Sequence, residues 1–179
     1  MSSEVQADSA SPAADDNFAA RHSDYPESLI RTILRETKVI AMVGASANWN
    51  RPSFFAMKYL QEKGYRVIPV NPREAGTQIL GETAYASLTE IPDPVDLVQC
   101  FRSADAIPGI VEEAKRIKPK VLWMQLGIRN DEAGKAAEAA GMTVIMNRCP
   151  KIEYGRLGGE IGWLGVKTRV ISSKRHKRI

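Results

Sequence analysis

The chain is poor in the side chains on which most enzyme mechanisms rest. It holds two cysteines, Cys100 and Cys149, and two histidines, His22 and His176. Two distant cysteines exclude a disulfide framework and a cysteine-rich metal cluster, and both are read as buried thiols without catalytic duty. The histidines lie near the two charged ends, so the central sequence has no imidazole to serve as a base or a metal ligand. No apolar stretch approaches the roughly 20 residues that span a bilayer, and no signal-like run follows M-S-S-E-V-Q. These absences lead to the expectation of a soluble, cytoplasmic protein with no membrane partner, no metal and no catalytic residues.

What is present suits one folded domain: 179 residues, 44% hydrophobic and 26% charged. The formal charge of +4 is unevenly spread. Residues 1–24 carry Glu4, Asp8, Asp15, Asp16 and Asp24 against Arg21, whereas 167–179 carry Lys167, Arg169, Lys174, Arg175, Lys177 and Arg178. The first 24 residues are rich in Ala, Ser and Asp and have little apolar surface to offset chain entropy, so a disordered tail is expected there. The expected organisation is that tail over 1–24, one domain over 25–171 and a basic tail over 172–179.

The most informative stretch is K-V-I-A-M-V-G-A-S-A-N-W-N-R-P-S, from Lys38 to Ser53. A short apolar run reads as a strand buried on both faces. Gly44 supplies the freedom for a sharp turn, and small residues at Ala45 and Ser46 let a ligand approach main-chain N–H groups. Pro52 suits the first turn of a helix, whose positive end favours an anion. Arg51 and Ser53 add a guanidinium and a hydroxyl, and Trp49 is a candidate ligand contact within the loop.

Around this stretch, helices are expected near Leu29–Leu34, Pro52–Lys63, Ser103–Ile117 and Asn130–Ala140. Strands are expected at Tyr65–Val70, Val95–Phe101, Val121–Gln125 and Thr143–Met146, with another around Lys167–Ile171, while residues 74–92 read as a mostly irregular crossover. The alternation predicts an α/β, doubly wound, parallel five-stranded sheet. The crevice is expected at the carboxyl ends of the first and fourth strands, where Gly44–Ser46 and Gln125–Gly127 would meet. At the end of the second strand, V-N-P-R places neutral Asn71 and cationic Arg73 beside the pocket. The G-x-G-x-x-G pattern of dinucleotide sites is missing, and no carboxylate is expected there to repel a ribose phosphate.

Several short motifs in order resemble the stand-alone CoA-binding protein family, similar to the N-terminal CoA-binding domain of the succinyl-CoA synthetase α subunit. They are V-G-A-S at 43–46, R-P-S at 51–53, G-Y-x-V-x-P-V-N-P at 64–72, F-R at 101–102, W-M-Q-L-G-I at 123–128 and R-C-P-K-I-E at 148–153. Asn147 stands where that family usually has an aspartate. The resemblance implies a Rossmann-like fold with coenzyme A or an acyl-CoA as its ligand. By position, Gly44, Ala45 and Ser46 would line the phosphates or the pantetheine arm, and Arg51 and Ser53 the pyrophosphate. Asn71 and Arg73 would meet the phosphorylated ribose, Phe101 and Arg102 the nucleoside side.

Residues and resemblance together lead to the expectation of a non-catalytic binder of CoA or a short acyl-CoA, with an acyl-CoA-handling protein as a candidate partner. Two alternatives stay open: an NADP-dependent oxidoreductase, since Arg73 suits a 2′-phosphate equally, and a partner- or nucleic-acid-binding protein using K-R-H-K-R at 174–178. That run lacks interleaved aromatics and reads first as a solvated tail.

Overall fold

The structure is a computed structural model that describes residues 12–158. Five parallel strands form the central sheet: β1 (Val39–Val43), β2 (Arg66–Val70), β5 (Leu97–Cys100), β6 (Val121–Met124) and β7 (Thr143–Ile145). Their order is β2-β1-β5-β6-β7. A small antiparallel pair, β3 (Gln78–Ile79) with β4 (Glu82–Thr83), sits in the crossover between β2 and β5.

Helices cover both faces. On one side lie α2 (Glu27–Glu36), α3 (Pro52–Glu62) and α6 (Pro150–Leu157), and on the other α4 (Ile107–Ile117) and α5 (Asp131–Ala139). Strand alternation divides the core accordingly: in β1, Ile40 and Met42 face the first layer while Ala41 faces the second. Apolar residues on both faces of each strand are what a doubly covered parallel sheet requires. The fold is therefore the Rossmann-like α/β sheet expected from the sequence.

Three expectations need correction. A helix, α1 (Pro12–Arg21), occupies part of the expected N-terminal tail. Phe18 on it is only 4% exposed, and its ring reaches within 2.9 Å of where a Cβ on Gly134 of α5 would stand. The missing side chain at Gly134 lets one aromatic dock there, which average composition over 24 residues does not reveal. Second, the neighbour of β1 across the reversal is the third long strand, β5, rather than the fourth. After β2 the chain crosses back over β1 and takes the open edge beside it. Third, residues 150–157, which carried no expected element, form α6 behind Pro150 at its first turn. The strand expected at 167–171 and the basic tail lie outside the described residues, as do residues 1–11.

Candidate functional site

The site is built at Gly44, the first residue beyond β1, where the ends of three strands meet. Its N–H donates to the Val70 carbonyl at 2.8 Å, and the Phe101 N–H donates to the Val43 carbonyl at 2.8 Å. Gly44 has φ +86°, and an added Cβ would lie 2.7 Å from the Phe101 carbonyl oxygen and 3.0 Å from Arg102 Cδ. Both the left-handed backbone and the close approach of β5 demand glycine here. The turn then runs to α3 through local side-chain bonds: the Asn48 N–H donates to Ser46 Oγ at 3.2 Å and the Asn50 N–H to Asn48 Oδ1 at 3.0 Å. Arg51 occupies the N-cap position of α3 without a side-chain cap, and Pro52 opens the helix. A helix start lacking a cap keeps its positive end available to an anion.

A cavity of about 130 Å³ opens beneath this turn, on the α4 side of β1. Gly44, Asn71, Arg102 and Glu113 line it together with apolar walls from Val43, Val70 and Ile110. Asn71 joins the turn to β2 directly, donating from Nδ2 to the Ala45 carbonyl at 2.7 Å while its Oδ1 accepts from the Arg73 N–H at 3.1 Å. Phe101 is half-buried, packed on the α3 side of the sheet. Next to Arg102, the Ser103 hydroxyl donates to the Asp105 carboxylate and holds its pKa below the usual carboxylate range.

The structure thus brings Gly44, Ala45, Asn71 and Arg102 into one place. Arg51 and Trp49 stand on the outer side of the loop, Trp49 with 66% of its surface exposed. Arg73, two residues beyond Asn71, is exposed and does not line the cavity. Ser53 is 4% exposed, packed under the helix start. Gln125 and Gly127 do not meet Gly44 as expected, because β5 lies between β1 and β6 and separates them by about 10 Å, two strand spacings. Gly127 instead turns with φ +81° and donates its N–H to Asn147 Oδ1 at 2.7 Å. Asn147 itself has φ +54°, a conformation asparagine tolerates better than most residues.

Two residues near the turn escaped sequence reasoning. Glu74 Oε1 accepts from the Ala47 N–H at 3.5 Å, so a carboxylate does stand beside the cradle, correcting the expectation of none. Its position one residue beyond Arg73 was the available signal. Gln99 on β5 is fully buried and donates from Nε2 to Gln125 Oε1 at 3.2 Å. A single polar residue within an apolar strand was its signal.

His22 also differs from the expected tail residue. It is 5% exposed, with Nδ1 3.0 Å from the Tyr25 hydroxyl and Nε2 3.0 Å from Glu138 Oε1. The Tyr25 hydroxyl accepts from the Met146 N–H, leaving its proton for His22 Nδ1 and placing the ring proton on Nε2, toward Glu138. Burial, outweighing the attraction of Glu138, holds the His22 pKa below 6.5. Both ring nitrogens are engaged in fastening the end of α1 to α5 and β7.

A larger cavity, about 520 Å³, lies at the opposite end of the sheet, lined by Arg31, Arg35, Lys38 and Lys63 with Tyr65 and Tyr154. It gathers the C-terminal ends of α2, α3 and α6, whose carbonyls point their negative ends there. Cations at such ends answer the helix dipoles. In a parallel α/β sheet the ligand crevice is at the carboxyl ends of the strands, where the order reverses, and that favours the smaller cavity at Gly44.

Known proteins resemble this chain in sequence and fold. The sequence profile described as "CoA binding domain" matches residues 38–155. The chain is 40% identical over 125 residues to the uncharacterized protein YneT of Bacillus subtilis, covering 70% of this chain and 91% of that protein. It is 35% identical over 89 residues to the alpha subunit of Pyrococcus furiosus acetate–CoA ligase [ADP-forming] I, covering 48% of this chain and 19% of the ligase subunit. The match thus spans about a fifth of that ligase subunit's length. Among solved structures, cell-free ID.343 from Thermus thermophilus superposes with a TM-score of 0.72 at 39% identity, covering 74% of this chain and 99% of that one. The turn, the motifs around it and these matches lead to one assignment: the chain belongs to the CoA-binding domain family.

Proposed function

We propose that the chain binds coenzyme A or a short acyl-CoA in the crevice at the carboxyl ends of β1, β2 and β5, and performs no chemistry of its own. The observation that carries this reading is the Gly44 turn: a left-handed glycine pressed on β5, leading to an uncapped helix start and roofing a cavity with a cation in its wall. A diphosphate at the turn meets main-chain N–H groups, the positive end of α3 and Arg51. Arg102 lies against the turn, and the exposed Arg73, two residues beyond Asn71, is the second cation, for the 3′-phosphate of the ribose. The cavity below, with apolar walls and the polar groups of Asn71 and Glu113, suits the adenine ring. Trp49 offers an exposed ring at the loop's edge.

The surroundings of two reactive groups among the described residues support the reading of a binder. Cys100 is sealed in the core and burial pushes its thiol up to about 12. His22 is committed on both ring nitrogens at α1. The ligase relatives carry a similar segment within far longer chains, which supports an acyl-CoA-handling protein as the partner that would use the bound ligand.

The test is a thermal melt of the full chain with CoA, acetyl-CoA, NADP or ATP added separately, since a ligand held only by the folded state raises the midpoint by mass action. CoA and acetyl-CoA are expected to raise it by several degrees at a hundredfold excess over Kd. A shift with NADP and none with CoA would overturn the CoA reading and favour the alternative of an NADP site.

A further inference from the structure

Within β5, Leu97 and Gln99 face the α3 side of the sheet while Val98 and Cys100 face α4. Gln99 is 0% exposed, and its ladder neighbours are apolar: Met42 on β1 and Trp123 on β6. Its Nε2 donates to Gln125 Oε1, but its Oε1 has no hydrogen-bond partner among the described residues. Turning the amides over does not cure this. Gln125 would then donate to Gln99 Oε1 and leave the Gln99 Nε2 hydrogens without an acceptor, so one polar atom of a buried amide stays unmatched either way.

An unmatched buried amide is costly, and a leucine or methionine would fill this place between Met42 and Trp123 without that cost. Its position suggests what it serves. Gln99 stands one residue from the carboxyl end of β5, beside the Phe101–Arg102 segment that presses on Gly44, and Gln125 beside it is half-buried at the mouth of the next strand. The adenine cavity opens on the α4 side of β1, whereas the glutamine pair belongs to the α3 side.

We propose that Gln99 and Gln125 form the subsite for the amide-bearing arm of the ligand, with the unmatched Gln99 atom pairing with a secondary amide of the pantetheine chain. This assignment rests on the reading of the chain as a CoA binder. A pantetheine arm carries two secondary amides, each a donor and an acceptor, and the nucleotide half of the ligand carries none. Gln99 therefore distinguishes whole CoA from its nucleotide fragment.

The test compares the full chain with Q99L and Q99M, measuring by calorimetric titration the affinity for CoA and for adenosine 3′,5′-bisphosphate, and the melting midpoint without ligand. Expected are an unchanged affinity for the bisphosphate, a loss of about tenfold for CoA, the worth of a hydrogen bond to a buried group, and an unchanged or raised midpoint. A CoA affinity equal to the parent's overturns the assignment. So does an equal loss for both ligands with a midpoint lowered by several degrees, which marks Gln99 as a prop of the fold. Should the parent chain bind neither ligand, the CoA reading itself falls and the subsite with it.

Discussion

Replacing Gly44 with alanine probes the turn on which the site depends. Holding an L-residue in the left-handed region costs about 1–2 kcal/mol. The added Cβ would also stand 2.7 Å from the Phe101 carbonyl, so the backbone after β5 must move. That carbonyl follows an N–H already bonded to Val43, and crowding of this kind costs a further ~1–3 kcal/mol. A total of about 3 kcal/mol in a chain of this size lowers the midpoint by roughly 6–12 °C. Gly127 is the control, because it shares the left-handed backbone at φ +81° but has nothing within 4 Å of the added Cβ. G127A should lose only about 1 kcal/mol, or roughly 2–4 °C. Paired circular-dichroism melts of the two variants read the difference. Equal shifts would refute the close approach of β5 to the turn, and with it the reason a glycine stands there.

Removing the carboxylate beside the cradle should help an anionic ligand: E74Q is expected to tighten CoA about fivefold, the worth of roughly 1 kcal/mol of relieved repulsion in a watery setting, and unchanged or weaker binding by titration would contradict this. Burial pushes Cys100 up to about 12, and Tyr65 likewise to about 12, so both stay neutral in the fold and ionise first in the unfolded chain. Their contribution to stability is then complete below about pH 9 and falls as the pH rises toward 12; the urea midpoint should show this, and C100V should soften the decline. His22, held below 6.5, works in the opposite sense: only the unfolded chain takes its proton, so stability drops as the pH falls below about 6.5. H22N should flatten that acid slope in urea titrations, and an unaltered slope would show that His22 is not its source.

Much of this was legible in the sequence where local chemistry decides structure. The apolar run before Gly44, Pro52 at the helix start and Asn130 as a cap that accepts from the Ala133 N–H all act within a few residues of themselves. What pattern could not supply was the order in which strands lie side by side. Gln125 and Gly127 were therefore placed against Gly44, although β5 intervenes. The docking of α1 depended on the bare backbone of Gly134 meeting Phe18, 116 residues away, a pairing no local window contains. Glu74 and Gln99 were missed for the same reason, since each acts through a partner brought near by folding: Ala47 for one, Gln125 for the other.

The most direct measurement is a crystal structure of the full chain with CoA. The diphosphate is expected within hydrogen-bond distance of the main-chain N–H groups after Gly44 and of the start of α3, with the adenine in the cavity walled by Arg102 and Asn71. Ligand found instead among Arg31, Arg35, Lys38 and Lys63 at the other end of the sheet, with the Gly44 turn empty, would contradict it.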